Sequence, residues 1–119
     1  MARGALTNRS KVKHVLISWA DPAKSNGGQV DPRAQKRTAK DAETLAIQLL
    51  ERARAGEDFD ALMAEYSEDP GSAHTGIAYE ATPSAQLVFE FKRMSLRLKI
   101  GEVGMVKSMF GWHVIKRIE

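Results

Sequence analysis

Two histidines are the side chains most able to do chemistry in this sequence. His14 sits in the apolar run Val12-Lys13-His14-Val15-Leu16-Ile17, and His113 in Met109-Phe110-Gly111-Trp112-His113-Val114-Ile115-Lys116. An imidazole both donates and accepts hydrogen bonds near neutral pH, so a pair suits a polar network beneath a pocket. Both runs have the β-branched and aromatic composition of strands. Side chains alternate between faces with a period of two, so two such strands can put both rings on one face of one sheet. One histidine in an apolar strand is more often structural than catalytic; the argument for a site rests on the pair. The third histidine, His74, lies in a polar loop and is assigned no role.

The elements that must position these rings are legible as patterns. Lys11 to Ser18 alternates as a strand with His14, Leu16 and Ser18 on one face. Trp19 to Lys36, with Pro22, Gly27, Gly28 and Pro32, reads as a long loop. Thr38 is placed to cap a helix, with Asp41 three residues on as a variant capping box. Ala42, Leu45, Ala46, Leu49, Leu50 and Ala53 then form one apolar stripe, and Gly56 marks the stop. Asp58 is expected to cap a second helix bearing Phe59, Leu62, Met63 and Tyr66 on one side. Ser67 to Ser72 is a turn-rich exit, and Ile77-Ala78-Tyr79 a short strand. Ser84 is expected to cap a third helix containing Leu87, Phe91, Met94 and Leu98. Val103 to Ser108 and Trp112 to Ile118 close the chain as strands; joined by a short turn, they must be antiparallel neighbours. This order gives an α+β fold, a small and mostly antiparallel sheet packed by helices.

Composition narrows the function. The 119 residues suit one domain, expected to occupy residues 11–119 behind a flexible segment 1–10. Cysteine is absent, which excludes disulfides, thiolate nucleophiles and Cys-ligated metal; no metal site is expected. No stretch approaches the ~20 apolar residues of a membrane span. The net charge of +3 is mild, and Lys and Arg are spread along the chain, so nucleic acid is not expected as a partner. Residues 1–9 are basic without an apolar run, unlike a signal peptide. As it stands the chain is expected in the cytoplasm; a periplasmic or exported site follows if it belongs to a longer protein.

Several blocks, taken together, resemble a known family. They are Phe59-Asp60-Ala61-Leu62, Tyr66-Ser67-Glu68-Asp69-Pro70-Gly71-Ser72, Leu98-Lys99-Ile100-Gly101-Glu102-Val103 and Phe110 to Lys116. The strand at Val12–Ile17 and the helix start at Arg37–Ala42 fit too. Their order and spacing resemble the parvulin-type (PpiC-like) peptidyl-prolyl cis–trans isomerases from about Lys11 to Glu119. The resemblance implies a four-stranded antiparallel sheet surrounded by three to four helices. It implies that His14 and His113 are the paired histidines of the site, with Ser108 in their network and Asp69 beside the reacting bond. Leu87 and Phe91 match the apolar positions that hold the proline ring, Tyr79 stands where a Leu usually lines that pocket, and Phe110 fills a substrate-binding position that is Phe or Ser in relatives. There are departures: the usual Gly-Gly-Asp-Leu-Gly run reads Gly76-Ile77-Ala78-Tyr79-Glu80, and the Gly-Gln-Met block reads Ala85-Gln86-Leu87. They imply a narrower or more polar pocket.

The reaction so implied breaks no bond. Rotation about an Xaa-Pro bond meets a barrier of ~18–20 kcal/mol set by amide resonance, so no nucleophile and no cofactor is needed. An apolar cup that fixes the ring while the preceding carbonyl swings, in a dry pocket over the histidines, lowers that barrier. The expected partners are proline-containing peptides or unfolded protein segments, met by a monomer. The alternative is a parvulin-like peptide-binding or chaperone module with weak or no turnover, favoured by Ile77 and Tyr79. Some relatives require a phosphate before proline and read it with a basic cluster. Here Lys24 has no adjacent Arg pair, and Arg33, Lys36 and Arg37 flank a helix start, so no phosphate requirement is expected.

Overall fold

The computed structural model describes residues 7–25 and 31–119. Among them run, in chain order, β1 (Ser10–Ile17), α1 (Ala20–Ser25), α2 (Pro32–Gln35), α3 (Ala39–Arg54), α4 (Phe59–Tyr66), β2 (Tyr79–Ala81), α5 (Phe89–Arg97), β3 (Val103–Ser108) and β4 (Gly111–Arg117). The strands form one antiparallel sheet in the order β2-β1-β4-β3, so the two histidine-bearing strands are the central pair. His14 lies opposite Ile115, and Leu16 opposite His113. Opposed residues of an antiparallel pair point to the same side, so all four share one face. Val12 pairs with Tyr79 and brings β2 onto that face as well.

The sheet is covered on both sides. Val15, Ile17 and Val114 pack with Ala42, Ala46 and Leu49 of α3 and Phe59, Leu62 and Met63 of α4. On the histidine face, Val12 and Ile115 pack under Phe91 of α5 and Leu98, with Tyr79, Leu87, Val88, Met94 and Val106 around them. Leu49 is fully buried; truncating a side chain of this kind to Ala typically costs about 2–5 kcal/mol. The α3 cap is as expected: Thr38 Oγ1 accepts the Asp41 N–H at 3.1 Å and the Asp41 carboxylate accepts the Thr38 N–H at 3.0 Å. Asp58 caps α4 through the N–H groups of Asp60 and Ala61.

Three expectations need correction. The stretch expected to be a loop, 19–36, contains two short helices; α2 starts on Pro32 with Asp31 as its cap, and residues 26–30 lie outside the described set. The last helix begins at Phe89 rather than after Ser84, and its N-cap residue Val88 makes no side-chain capping bond. Burial of Phe91, Ser95 and Leu96 holds it instead. The short strand falls at Tyr79–Ala81, two residues later than read. Of the segment 1–10 expected to be flexible, residues 1–6 are outside the described set, the Thr7 N–H donates to Leu96 O at 3.0 Å, and Ser10 opens β1.

The β3–β4 hairpin turns through Met109 and Phe110 into Gly111, which takes φ 136°. A Cβ there would stand 2.6 Å from Ile17 O, so only glycine lets β4 pass β1 at this point. Two residues later the same strand delivers His113.

Candidate functional site

The two imidazoles meet on the face beneath α5. His14 Nδ1 and His113 Nδ1 are 3.1 Å apart, and the rings stack with an interplanar angle of 21°. Both residues are buried. His14 Nε2 reaches Asp69 Oδ2 at 3.0 Å, and His113 Nε2 reaches Ser108 Oγ at 2.6 Å. The Phe110 N–H donates to Ser108 Oγ at 3.1 Å. Phe91 stands edge-on over both rings, its centroid 4.9 Å from that of His14 and 5.3 Å from that of His113.

The bonding pattern assigns the protons. A carboxylate only accepts, so His14 Nε2 carries hydrogen toward Asp69. In the uncharged pair, His14 Nδ1 then accepts, His113 Nδ1–H donates to it, and His113 Nε2 accepts the Ser108 hydroxyl. The result is one directional chain: Phe110 N–H to Ser108, Ser108 to His113, His113 to His14, His14 to Asp69. Each bond polarises the next.

Asp69 is the anchor of that chain. Its Oδ2 also accepts the hydroxyls of Ser72 and Tyr79, each at 2.6 Å. His14 above all, then Ser72 and Tyr79, hold its carboxyl well below the usual carboxylate range against the opposing effect of burial. Burial, with the bond to Asp69, pushes the Tyr79 phenol up to about 12. Burial pushes His113 down to about 3; the neighbouring His14 adds to this, and Asp69 opposes it.

The expected site residues thus fall into two groups. His14, His113, Ser108 and Asp69 form one hydrogen-bonded string. Tyr79 joins it through its hydroxyl and also packs edge-on against His14 and Phe91, at centroid distances of 5.5 and 6.2 Å. Leu87 and Phe91 belong to the apolar cluster above; Phe91 is only 3% exposed, while Leu87 and Tyr79 are half-buried. Phe110 enters the string through its backbone alone, and its ring is 39% exposed at the surface. The replaced glycines cause no strain: Gly76 takes the positive φ (68°), and no other residue type among those described does so.

Two contributors escape sequence reasoning. Ser72 follows Asp69 by one helical turn, a spacing that lets its hydroxyl fold back onto the carboxylate. Ser67 Oγ accepts the N–H groups of both Leu16 (3.1 Å) and Asp69 (3.4 Å), tying the Asp69 turn to β1. Arg33 and Arg37 are engaged internally: Arg33 with Asp31 and the carbonyls of Glu65 and Ser67, Arg37 with Glu68 and Ser18 O. The side chain of Lys24 lies outside the described set. Among the described residues no group of three or more His, Cys, Asp or Glu is placed to hold a metal ion, and no helix is long and apolar enough to cross a membrane.

Comparison with known proteins converges on one family. The chain is 41% identical over 75 residues to the foldase protein PrsA 4 of Bacillus cereus, an overlap of 62% of this chain and 27% of that protein. It is 34% identical over 114 residues to the chaperone SurA of Alkalilimnicola ehrlichii, covering 95% of this chain and 23% of that one. It therefore spans about a quarter of the length of these curated relatives. The solution structure of NmPin, the parvulin of Nitrosopumilus maritimus, superposes with a TM-score of 0.64 at 28% identity, over 95% of this chain and 98% of that one. The family model described as the PPIC-type PPIASE domain matches residues 2–119. With this sheet order and the paired histidines at its centre, the chain belongs to the PPIC-type peptidyl-prolyl isomerase (parvulin) domain family.

Proposed function

We propose that this domain turns over Xaa-Pro bonds of exposed, flexible polypeptide by non-covalent catalysis on the histidine face of the sheet. The observation that carries the reading is the Ser108–His113–His14–Asp69 string lying beneath Phe91. Ser108 is buried and already spends its proton on His113, which suits a scaffold better than a nucleophile. The string fixes the two rings as a stiff floor. Leu87, Phe91 and the ring face of Tyr79 supply the apolar wall for the pyrrolidine. Phe91 is nearly covered, so a proline that touches it parts the half-buried side chains of its cluster, Leu87 and Tyr79 first. Asp69 is about one-fifth exposed and charged, at the margin where the rotating carbonyl would move. An acceleration of ~10⁴-fold needs the twisted amide to be favoured over the planar forms by roughly 5.5 kcal/mol.

The clients are read as unfolded or flexible segments without a phosphate requirement. The foldase and chaperone relatives support the first point, and the internal engagement of Arg33 and Arg37 supports the second. NMR exchange spectroscopy on an Ala-Pro peptide tests the reading. Exchange cross-peaks between cis and trans signals at catalytic protein concentrations are expected. Saturable broadening without cross-peaks would instead establish a peptide-binding module.

A further inference from the structure

Glu68 is the most buried carboxylate that the proposed catalysis does not use. Its side chain is 3% exposed, although it lies in a turn at the domain surface. Oε1 accepts the Ser18 N–H at 2.9 Å, and Oε2 pairs with the Arg37 guanidinium. Arg37 Nη1 also donates to Ser18 O at 3.2 Å, and the Arg37 carbonyl accepts the Ala20 N–H at 3.3 Å. The two side chains therefore hold Ser18 by both its N–H and its C=O. On the other side the Glu68 N–H donates to Leu16 O at 2.8 Å, beside the bond from Leu16 N–H to Ser67 Oγ. Arg33 adds bonds to Glu65 O (2.7 Å) and Ser67 O (3.4 Å).

All these bonds tie residues 65–68 to the end of β1 and to both ends of the segment 18–37. Asp69 is the next residue along the chain, and His14 is two residues before Leu16 on β1. The distance between Asp69 Oδ2 and His14 Nε2 is thus set by how the Glu68 turn is registered against β1. A buried charge is retained only where its partners are fixed, and removing one partner leaves the other uncompensated. Ordinary surface ion pairs lack that stiffness.

We infer that Glu68, paired with Arg37, is a positioning residue that sets Asp69 against His14 and ties that contact to Ser18. The inference rests on the reading of Asp69 as part of the site, and its test separates the two. Glu68→Gln keeps the shape and the acceptor toward Ser18, but turns an amide toward Arg37. Its readout is the imidazole ¹⁵N and ¹H spectrum. In the parent protein the His14 Nε2–H proton, bonded to a carboxylate, should resonate far downfield. In Glu68→Gln that signal is expected to move upfield or broaden away while the methyl spectrum of the core persists. With turnover measured alongside, kcat/KM is expected to fall about tenfold, the loss falling on kcat. Asp69→Asn should lose at least as much, and the double variant no more than about twofold beyond Asp69→Asn, because both act through one contact. An unmoved His14 signal in Glu68→Gln overturns the inference, and so do losses that multiply in the double variant. If Asp69→Asn leaves turnover intact, the role of Asp69 fails, while the His14 signal still decides whether Glu68 positions it. Should Glu68→Gln not fold, Arg37→Lys carries the same test, since the lysine ammonium ends one bond short of Nη1, the atom that serves both Ser18 O and Glu68; its His14 signal must shift too, or the inference falls.

Discussion

His113 makes the stability of this domain depend on pH in a window where most neutral pockets are silent. In the folded chain burial, aided by His14, keeps the ring uncharged down to about pH 3. In the unfolded chain it takes up a proton below its ordinary pKa of 6.5. Between those values the unfolded state binds more protons, so stability falls as the solution is acidified. Each pH unit inside the window removes ~1.4 kcal/mol, giving a loss of about 2 kcal/mol at pH 5 and about 3 kcal/mol at pH 4 relative to pH 8. The ring is almost wholly buried, so solvent screening does not dilute these figures. Urea unfolding of the parent and of His113→Gln, whose side chain is neutral at every pH, isolates the contribution from those of other groups. The parent should lose about 2 kcal/mol more than the variant between pH 8 and pH 5. Equal pH dependence in the two proteins would refute the reasoning, because an imidazole free to charge in the folded state contributes no slope.

Other outcomes follow from single contacts. Spectrophotometric titration should find one tyrosine ionising near pH 12, and Tyr79→Phe should remove it, since the phenol bonded to Asp69 is held protonated. Gly111→Ala places a Cβ against Ile17 O at a positive φ, so thermal unfolding should show a loss of at least about 2 kcal/mol. Thr38→Ala deletes the capping bond to Asp41 and is expected to cost about 1 kcal/mol in urea unfolding, with turnover unchanged. A Lys-Pro peptide should be isomerised faster than a Glu-Pro peptide, and Asp69→Asn should narrow the gap, because Asp69 stays charged; equal rates in the parent would remove the carboxylate from the groove.

The parts of the fold that can be read from the chain are those fixed by local pattern. β1 and β4 declare themselves by alternation, α3 by Thr38, Asp41 and its apolar stripe, and α4 by Asp58. The parts that cannot be read are fixed by contacts from elsewhere. α2 is four residues long behind Asp31-Pro32, a dipeptide that signals a turn as readily as a helix. Ser84 has the side chain of a cap, yet the helix waits for Val88, because what α5 needs is to set Phe91 onto the histidines. The histidine pairing follows from strand alternation, whereas the gathering of Ser72, Tyr79 and His14 on one oxygen of Asp69 needs a turn, an edge strand and a central strand to meet. No spacing in the sequence encodes that meeting.

Strand order has a consequence for biosynthesis. The central pair of the sheet joins the first and the last of its four strands, with both flanking strands and the described helices translated in between. A ribosome-bound chain can form α3 early, but β1 has no central neighbour until residue 117 has left the exit tunnel. Hydrogen bonding between β1 and β4, and with it the contact between the two imidazoles, therefore comes after the synthesis of every other strand of the sheet. A nascent chain stalled before Gly111 would leave the β4-facing edge of β1 unpaired, a template open to pairing with another chain.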